Sequence, residues 1–294
     1  MTAADAGAAG DATVAALPRL VYEDVVRRAL LEDLGRMGDL TSEATIPVDA
    51  VGRAHVVARA AGCVAGLAPA LLAFELVDER LQARPCVHDG QRVAAGEVLA
   101  VVEGPARGLL TAERTALNLL GHLSGVATTT AGVVDAVAGT GATVVCTRKT
   151  TPGLRALEKH AVRAGGGGNH RFGLDDGILI KDNHVALAGG VRAAVEGARR
   201  RAGHMVRVEL EVDGLDQLDE ALALGVDAVL LDNMSLDELR EAVARCRGRA
   251  VTEASGGIRP DTAAAIAATG VDLLSIGWLT HSAPSLDVAL DVVV

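Results

Sequence analysis

Lysine occurs at only three positions in this chain, Lys149, Lys159 and Lys181, and the remaining basic residues among its 28 are arginine. An ammonium group is a compact, rotatable charge whose proton affinity its surroundings can move, whereas a guanidinium is a rigid fork that stays charged. Keeping the ammonium groups in one stretch marks that stretch as a place for chemistry. From Thr147 to His184 it holds seven lysines and arginines against four acidic residues, in a protein of formal net charge −10. A cationic island in an acidic molecule selects a small anion. Nucleic acid would call for a basic face interleaved with aromatics, and Tyr22, Phe74, Phe172 and Trp278 are all the aromatics the chain has.

These side chains need a frame that makes them converge. After Gly141 six short apolar runs each end in polar or glycine residues: Val144 to Lys149, Ile178 to Lys181, Val206 to Glu211, Val229 to Asp232, Val251 to Gly257, and Leu273 to Gly277. Amphipathic helices of fitting length lie between the later runs, one opened by a Ser235/Glu238 capping box and others closed by Gly225 and Gly270. Gly-Val-Asp precedes both the fourth and the sixth run, a partial internal repeat. The pattern predicts βα repetition, and in a parallel αβ-barrel the C-terminal strand ends meet at one mouth, where active sites sit.

That mouth would receive cations from Arg148, Lys149, His170, Arg171 and Lys181, carboxylates from Glu211 and Asp232, and backbone N–H groups from Ser255, Gly256, Gly257 and Gly277. The glycines beside the last two strands suit a phosphate, because main-chain amides approach an oxyanion closely there. The four glycines before Asn169-His170-Arg171 fit neither a Walker A loop nor a dinucleotide fingerprint, and are expected to form a mobile loop at an anion. Earlier, Leu110 to Leu123 is expected to be a helix with Thr111 near its start, and Arg114, Asn118 and His122 on one stripe. Ala54 to Ala60 and Arg92 to Glu103 look strand-like, and Cys63 to Val77 helical.

Half of the residues are apolar, so the chain can bury a substantial core of Val, Leu, Ile and Ala. Cys63, Cys86, Cys146 and Cys246 are scattered without metal-ligand spacing, which predicts reduced thiols. Residues 1–17 read as a disordered Ala/Gly-rich tail without the features of a signal peptide, and no later run has the length and apolarity of a membrane span. A cytoplasmic location without membrane attachment is expected.

Thr147-Arg148-Lys149-Thr150-Thr151-Pro152-Gly153, Asn169-His170-Arg171, Leu179 to His184, Leu231-Asp232-Asn233, Glu253 to Gly257 and Leu279 to Ser282 closely resemble the motifs of the quinolinate phosphoribosyltransferases, in the same order. Gly38 to Thr41 and Thr111 to Arg114 extend the resemblance over nearly everything after the tail. It implies an N-terminal α/β sandwich over 18–126, with 283–294 returning to it, and an incomplete TIM-like α/β barrel over 127–282. It also implies that 5-phosphoribosyl diphosphate and quinolinate, with Mg2+, give nicotinate mononucleotide, diphosphate and CO2 in NAD biosynthesis. In a homodimer of this family Arg114 would reach the neighbour's active site, with a hexamer of dimers as a further assembly. Lys149, Lys181, Glu211 and Asp232 would be catalytic. Arg114, Thr147, Arg148, His170, Arg171, Ser255, Gly256, Gly257 and Gly277 would bind substrate, and Mg2+ would come through the diphosphate, near Glu211 and Asp232, without a direct protein ligand.

Cys146 stands where the family commonly has aspartate, His160 where tyrosine is common, Gly168 where an apolar residue usually sits, and Trp278 where a small residue follows the glycine. Cys146 is thereby expected to remove a partner for the cations, and Trp278 to crowd the phosphate loop. The alternatives are a paralogue acting on another pyridine carboxylate, a Schiff-base aldolase-type lyase using Lys149 or Lys181, and a non-catalytic anion-binding protein.

Overall fold

A computed structural model describes residues 14–293, so positions 1–13 of the expected tail lie outside the described residues. The described part forms two units, one running to Ser124 and resuming at Leu286, the other Gly125–Ser285.

In the first unit α1 (Arg19–Leu34) buries Tyr22, Val26 and Leu30, four apart and so on one face. Asp39 caps α2 (Leu40–Thr45), accepting from the Ser42 amide and hydroxyl and, at 3.0 Å, from the Thr111 hydroxyl. These bonds, that of the Ser42 hydroxyl foremost, hold the Asp39 carboxyl below its ordinary value. The motifs around Gly38 and Thr111 therefore meet as a structural joint. There follow β1 (Val51–Ala58), β2 (Gly62–Cys63), α3 (Leu67–Val77), β3 (Gln82–Pro85), β4 (Arg92–Val93), β5 (Val98–Pro105) and α4 (Ala106–Ala136). The strand expected over 92–103 is two strands, parted by a turn in which the Glu97 carboxylate accepts the Ala94 amide. The helix expected from Cys63 starts only at Leu67. Thr111 lies inside α4 rather than at its start, because the helix begins directly at the end of β5.

In the second unit β6 (Thr143–Val145), α5 (Arg155–Ala164), β7 (Ile178–Ile180), α6 (Asp182–Ala188), α7 (Val191–Arg201), β8 (Val208–Val212), α8 (Leu215–Leu224), β9 (Ala228–Asp232), α9 (Leu236–Cys246), β10 (Val251–Ser255), α10 (Pro260–Ala267), β11 (Leu273–Ser275) and α11 (Trp278–His281) succeed one another. Each of the six expected runs contains a strand. The strands pair in parallel in the order β6-β11-β10-β9-β8-β7, with no pairing of β6 to β7 among the described residues, so the barrel is incomplete. Ser235 and Glu238 form the expected capping box, and Gly225 closes α8 at φ 69°.

Side chains alternate across a strand. Leu210, Val229, Leu231, Ala254 and Leu274 pack outward in one core with Leu218, Leu239 and Ala263 of the helices. Their neighbours in sequence, Glu209 and Glu211, Leu230 and Asp232, Glu253 and Ser255, and Ser275, take the inner face. β12 (Val288–Val293) completes the antiparallel sheet of the first unit, in the order β12-β1-β5-β3, with Val56 opposite Leu290. The fold class is the expected one. No described helix is long and apolar enough to cross a membrane, and none of the four cysteines is in a disulfide among the described residues.

Candidate active site

Two adjoining cavities open at the C-terminal strand ends of the barrel. One, of about 380 Å3, is walled by Thr147, Lys149, Lys181, Glu211, Asp232, Asn233, Ser255, Gly256, Gly257 and Gly277 among others. The second, of about 280 Å3, shares Thr147, Lys149, Lys181 and Ser255 and adds Arg148, His170, Arg171 and Glu253. Every expected site residue except Arg114 lines one or the other. Arg114 is exposed on α4, within the first unit.

The larger cavity combines carboxylates with a backbone cradle. Lys181 Nζ lies 3.2 Å from Glu211 Oε2, and Asp232 Oδ2 accepts from Asn233 Nδ2 at 2.6 Å. Asn233 takes a left-handed backbone, φ 53°, and donates its amide N–H to the Ser255 carbonyl. Gly256 has φ 94°, and a Cβ there would collide with the Asn233 side-chain amide. Gly277 is closed in by Lys149, whose Cδ would lie 2.8 Å from an added Cβ. Trp278, expected to crowd this loop, ties itself to it: its Nε1 donates to the Ile258 carbonyl at 2.7 Å. Gly256→Ala is expected to cost about 1–3 kcal/mol through the backbone strain alone. Thermal unfolding will read it as a lowered melting temperature, and steady-state kinetics as a raised KM for the phosphorylated substrate.

In the smaller cavity Arg148 Nε and Arg171 Nε are buried and find no acceptor among the described residues. Burial, then the charge of Arg148, pulls the Arg171 guanidinium below its ordinary value. Arg171 is nevertheless held in place, its Nη1 donating to the Gly177 carbonyl at 3.0 Å, and the loop behind it folds on Asp176, which accepts the Phe172 and Gly173 amides. Two crowded guanidiniums with unused donors suit an oxyanion, carboxylate or phosphate.

His170 reaches two carboxyl groups that the sequence reading did not place in the site: Nε2 is 3.1 Å from Glu209 Oε2 and 3.7 Å from Glu253 Oε1. Strand periodicity was the available signal, since Glu209 is two residues before Glu211, and Glu253 two before Ser255. Burial opposes charge on the imidazole, but the Glu209 hydrogen bond and the charges of Glu253 and Glu209 outweigh it, against Arg171, and raise His170 above its ordinary value.

Two expectations need correction. The first is that Cys146 removes a partner for the cations: Lys159, buried in α5, donates from its Nζ to Cys146 Sγ at 3.0 Å and to the His170 carbonyl at 2.8 Å. Cys146 therefore supplies a cation with a partner instead of removing one, while its thiol donates to Asn169 Oδ1. The glycine run, in turn, is not a loop around the anion. A Cβ at Gly167 would lie 2.8 Å from Thr130 Cγ2, one at Gly165 would strike the Ala127 carbonyl, and Gly168 bridges to Val145 in sheet fashion. Small residues are required there because the backbone packs against α4 and β6. Cys146→Ala removes the sulfur acceptor of a buried ammonium, an expected loss of about 1–3 kcal/mol. It will appear as a lower melting temperature, together with a raised KM for the ligand at His170.

A third cavity, of about 520 Å3, lies at the other end of β9 to β11. Its acids are committed to the fold, Asp227 accepting the Val208 amide and Asp272 the Thr252 amide and hydroxyl. Its cations, Arg247 and Arg249, are both exposed.

A parallel barrel whose mouth sets half-buried guanidiniums beside a glycine cradle and a carboxylate pair is built as an enzyme site for polyanionic small molecules. Residues 39–124 match the model of the quinolinate phosphoribosyl transferase N-terminal domain, and residues 126–291 that of the C-terminal domain. The chain belongs to the quinolinate phosphoribosyltransferase family. It is 49% identical over 276 residues to the nicotinate-nucleotide pyrophosphorylase [carboxylating] of Mycobacterium leprae, covering 92% of this chain and 96% of that one. With the probable enzyme of the same name from Bacillus subtilis it shares 45% identity over 273 residues, 93% and 94% of the two chains. The structure of the nicotinate-nucleotide pyrophosphorylase from Francisella tularensis superposes with a TM-score of 0.91 at 37% identity, over 97% of this chain and 100% of that one.

Proposed function

We propose that the protein transfers the phosphoribosyl group of 5-phosphoribosyl diphosphate to the ring nitrogen of quinolinate, releasing diphosphate and CO2 and leaving nicotinate mononucleotide. The single observation that carries this reading is the pair of buried, unpaired Nε donors of Arg148 and Arg171 in one small cavity with His170. Quinolinate carries two neighbouring carboxylates, which these groups match fork to oxygen. Ser255, Gly256, Gly257 and Gly277 would take the 5-phosphate, with Thr147 beside them. As diphosphate departs, positive charge grows on the ribose ring, and Glu211 and Asp232 would stabilise it. Bonding to the sugar makes the pyridine nitrogen cationic, so the ring can accept the electron pair left when the adjacent carboxylate leaves as CO2. A proton then replaces it on the ring carbon, and Lys149 and Lys181 are the ammonium groups within reach of the cavity. Family membership favours this reaction over a Schiff-base lyase and over a non-catalytic anion binder. Whether quinolinate or another pyridine carboxylate is preferred is tested by calorimetric titration: quinolinate is expected to bind far more tightly than nicotinate, and equal affinities would refute the two-carboxylate reading.

Mg2+ fits this donor set. Glu211 and Asp232 offer only carboxylate oxygens on one cavity wall, as a hard cation requires. They would hold it through its own waters and the diphosphate, without direct ligation. When bound, Mg2+ would supply charge neutralisation for the leaving diphosphate. We further infer a homodimer in which Arg114, exposed on α4, serves the neighbouring subunit's site, with a hexamer of dimers as a larger assembly. Exposure of this arginine supports that reading. A cytoplasmic location accords with four cysteines that form no disulfide among the described residues.

A further inference from the structure

The inner face of a barrel is normally filled by apolar side chains. One layer below the mouth, Leu179 and Leu230 keep to that rule and Glu209 and Glu253 break it. Glu253 is almost wholly enclosed, with 2% of its side chain exposed, and its Oε1 has no hydrogen-bond partner among the described residues, nor has Glu209 Oε1. An ionised carboxylate left so is costly unless a cation faces it. The group within reach that can carry positive charge is the His170 imidazole, whose Nε2 lies 3.1 Å from Glu209 Oε2 and 3.7 Å from Glu253 Oε1. We propose that Glu253 is a positioning residue, which with Glu209 grips His170 from within the barrel and keeps its ring doubly protonated, so that the second N–H is offered to a substrate carboxylate. The proposal rests on the reading of the small cavity as the dicarboxylate site.

The other charges around this group are Arg148, Lys149, Arg171 and Lys181, all on the same cavity wall. They favour ionised carboxyls and disfavour an imidazolium, so the two glutamates must outweigh them for His170 to stay charged. Burial first, and then the charge of Glu209, push Glu253 up to about 7, against the pull of His170. Charge on His170 is present below its raised value and lost as pH rises through it, so quinolinate binding should weaken on the alkaline side.

The test uses the full chain and Glu253→Gln, which keeps the shape and removes the charge. KM for quinolinate is expected to rise about ten-fold at pH 8 and less than about two-fold at pH 6, because the imidazole loses a carboxylate that keeps it charged on the alkaline side. KM for 5-phosphoribosyl diphosphate should stay level at both. In parallel, the ring nitrogens of His170, assigned through His170→Gln, are titrated by NMR without substrate. A midpoint above that of an ordinary imidazole in the unsubstituted chain, lowered in Glu253→Gln, supports the proposal. A midpoint at or below the ordinary value in the unsubstituted chain overturns it even where the variant fails to fold, and so does a pH-independent rise in both KM values. Absence of turnover in every sample would remove the proposed reaction, while the NMR titration would still judge the role of Glu253.

Discussion

Glu211→Ala and Asp232→Ala will each lower kcat about 10²–10³-fold, the size expected when one preorganised electrostatic contact to a transition state is lost. The effect should fall on kcat because the charge these groups meet, a cation-like ribose ring, exists only once the diphosphate has begun to leave. KM for quinolinate should change by less than about three-fold, since ground-state binding of that substrate rests on other residues. Glu211 also carries the ion pair with Lys181 at 3.2 Å. Glu211→Gln should therefore retain the fold around Lys181 better than Glu211→Ala while remaining slow, which separates charge from packing. Steady-state kinetics with both substrates varied will decide. Near-normal turnover in both alanine variants would remove the carboxylates from the mechanism.

Arg148→Ala and Arg171→Ala will each raise KM for quinolinate about 10–100-fold, the range for a lost charge-assisted hydrogen bond. Arg171→Lys should restore little, because a point charge cannot reproduce the planar fork that meets a carboxylate with two parallel bonds. The double variant should be less damaging than the two single effects combined. The charge of Arg148 pulls down the proton affinity of Arg171, so removing Arg148 relieves Arg171. KM for 5-phosphoribosyl diphosphate should be nearly unaffected in all four. Equal losses for both substrates would show that the two cavities do not divide the ligands as proposed.

The barrel was legible because its strands are short apolar runs with polar ends, and because Gly225 and the Ser235/Glu238 pair punctuate the helices. The mouth followed from that, since a residue just past a parallel strand has one place to go. Depth was harder. Glu209 and Glu253 sit inside runs that read as strands, and assigning them to the inner face requires knowing which phase of the alternation faces the core. Burial of Lys159 was hidden for another reason. α5 is enclosed on several sides, burying Glu158, Lys159 and His160 in succession, so no apolar stripe announces which way a side chain turns. The glycines at 165 to 168 misled because composition cannot tell a backbone that needs freedom from one that needs closeness. Here steric contact with Thr130 and Ala127 demands small residues. Cys146 shows the converse, a substitution that looks like a loss until the buried ammonium it serves is seen.

Purified protein incubated with quinolinate, 5-phosphoribosyl diphosphate and Mg2+ should yield nicotinate mononucleotide and CO2 in equal amounts, dependent on all three additions. Nicotinate supplied in place of quinolinate should give no more than a trace of the mononucleotide. Product formed equally well from nicotinate, or none from quinolinate, would contradict the claim that this barrel mouth is built around two adjacent carboxylates.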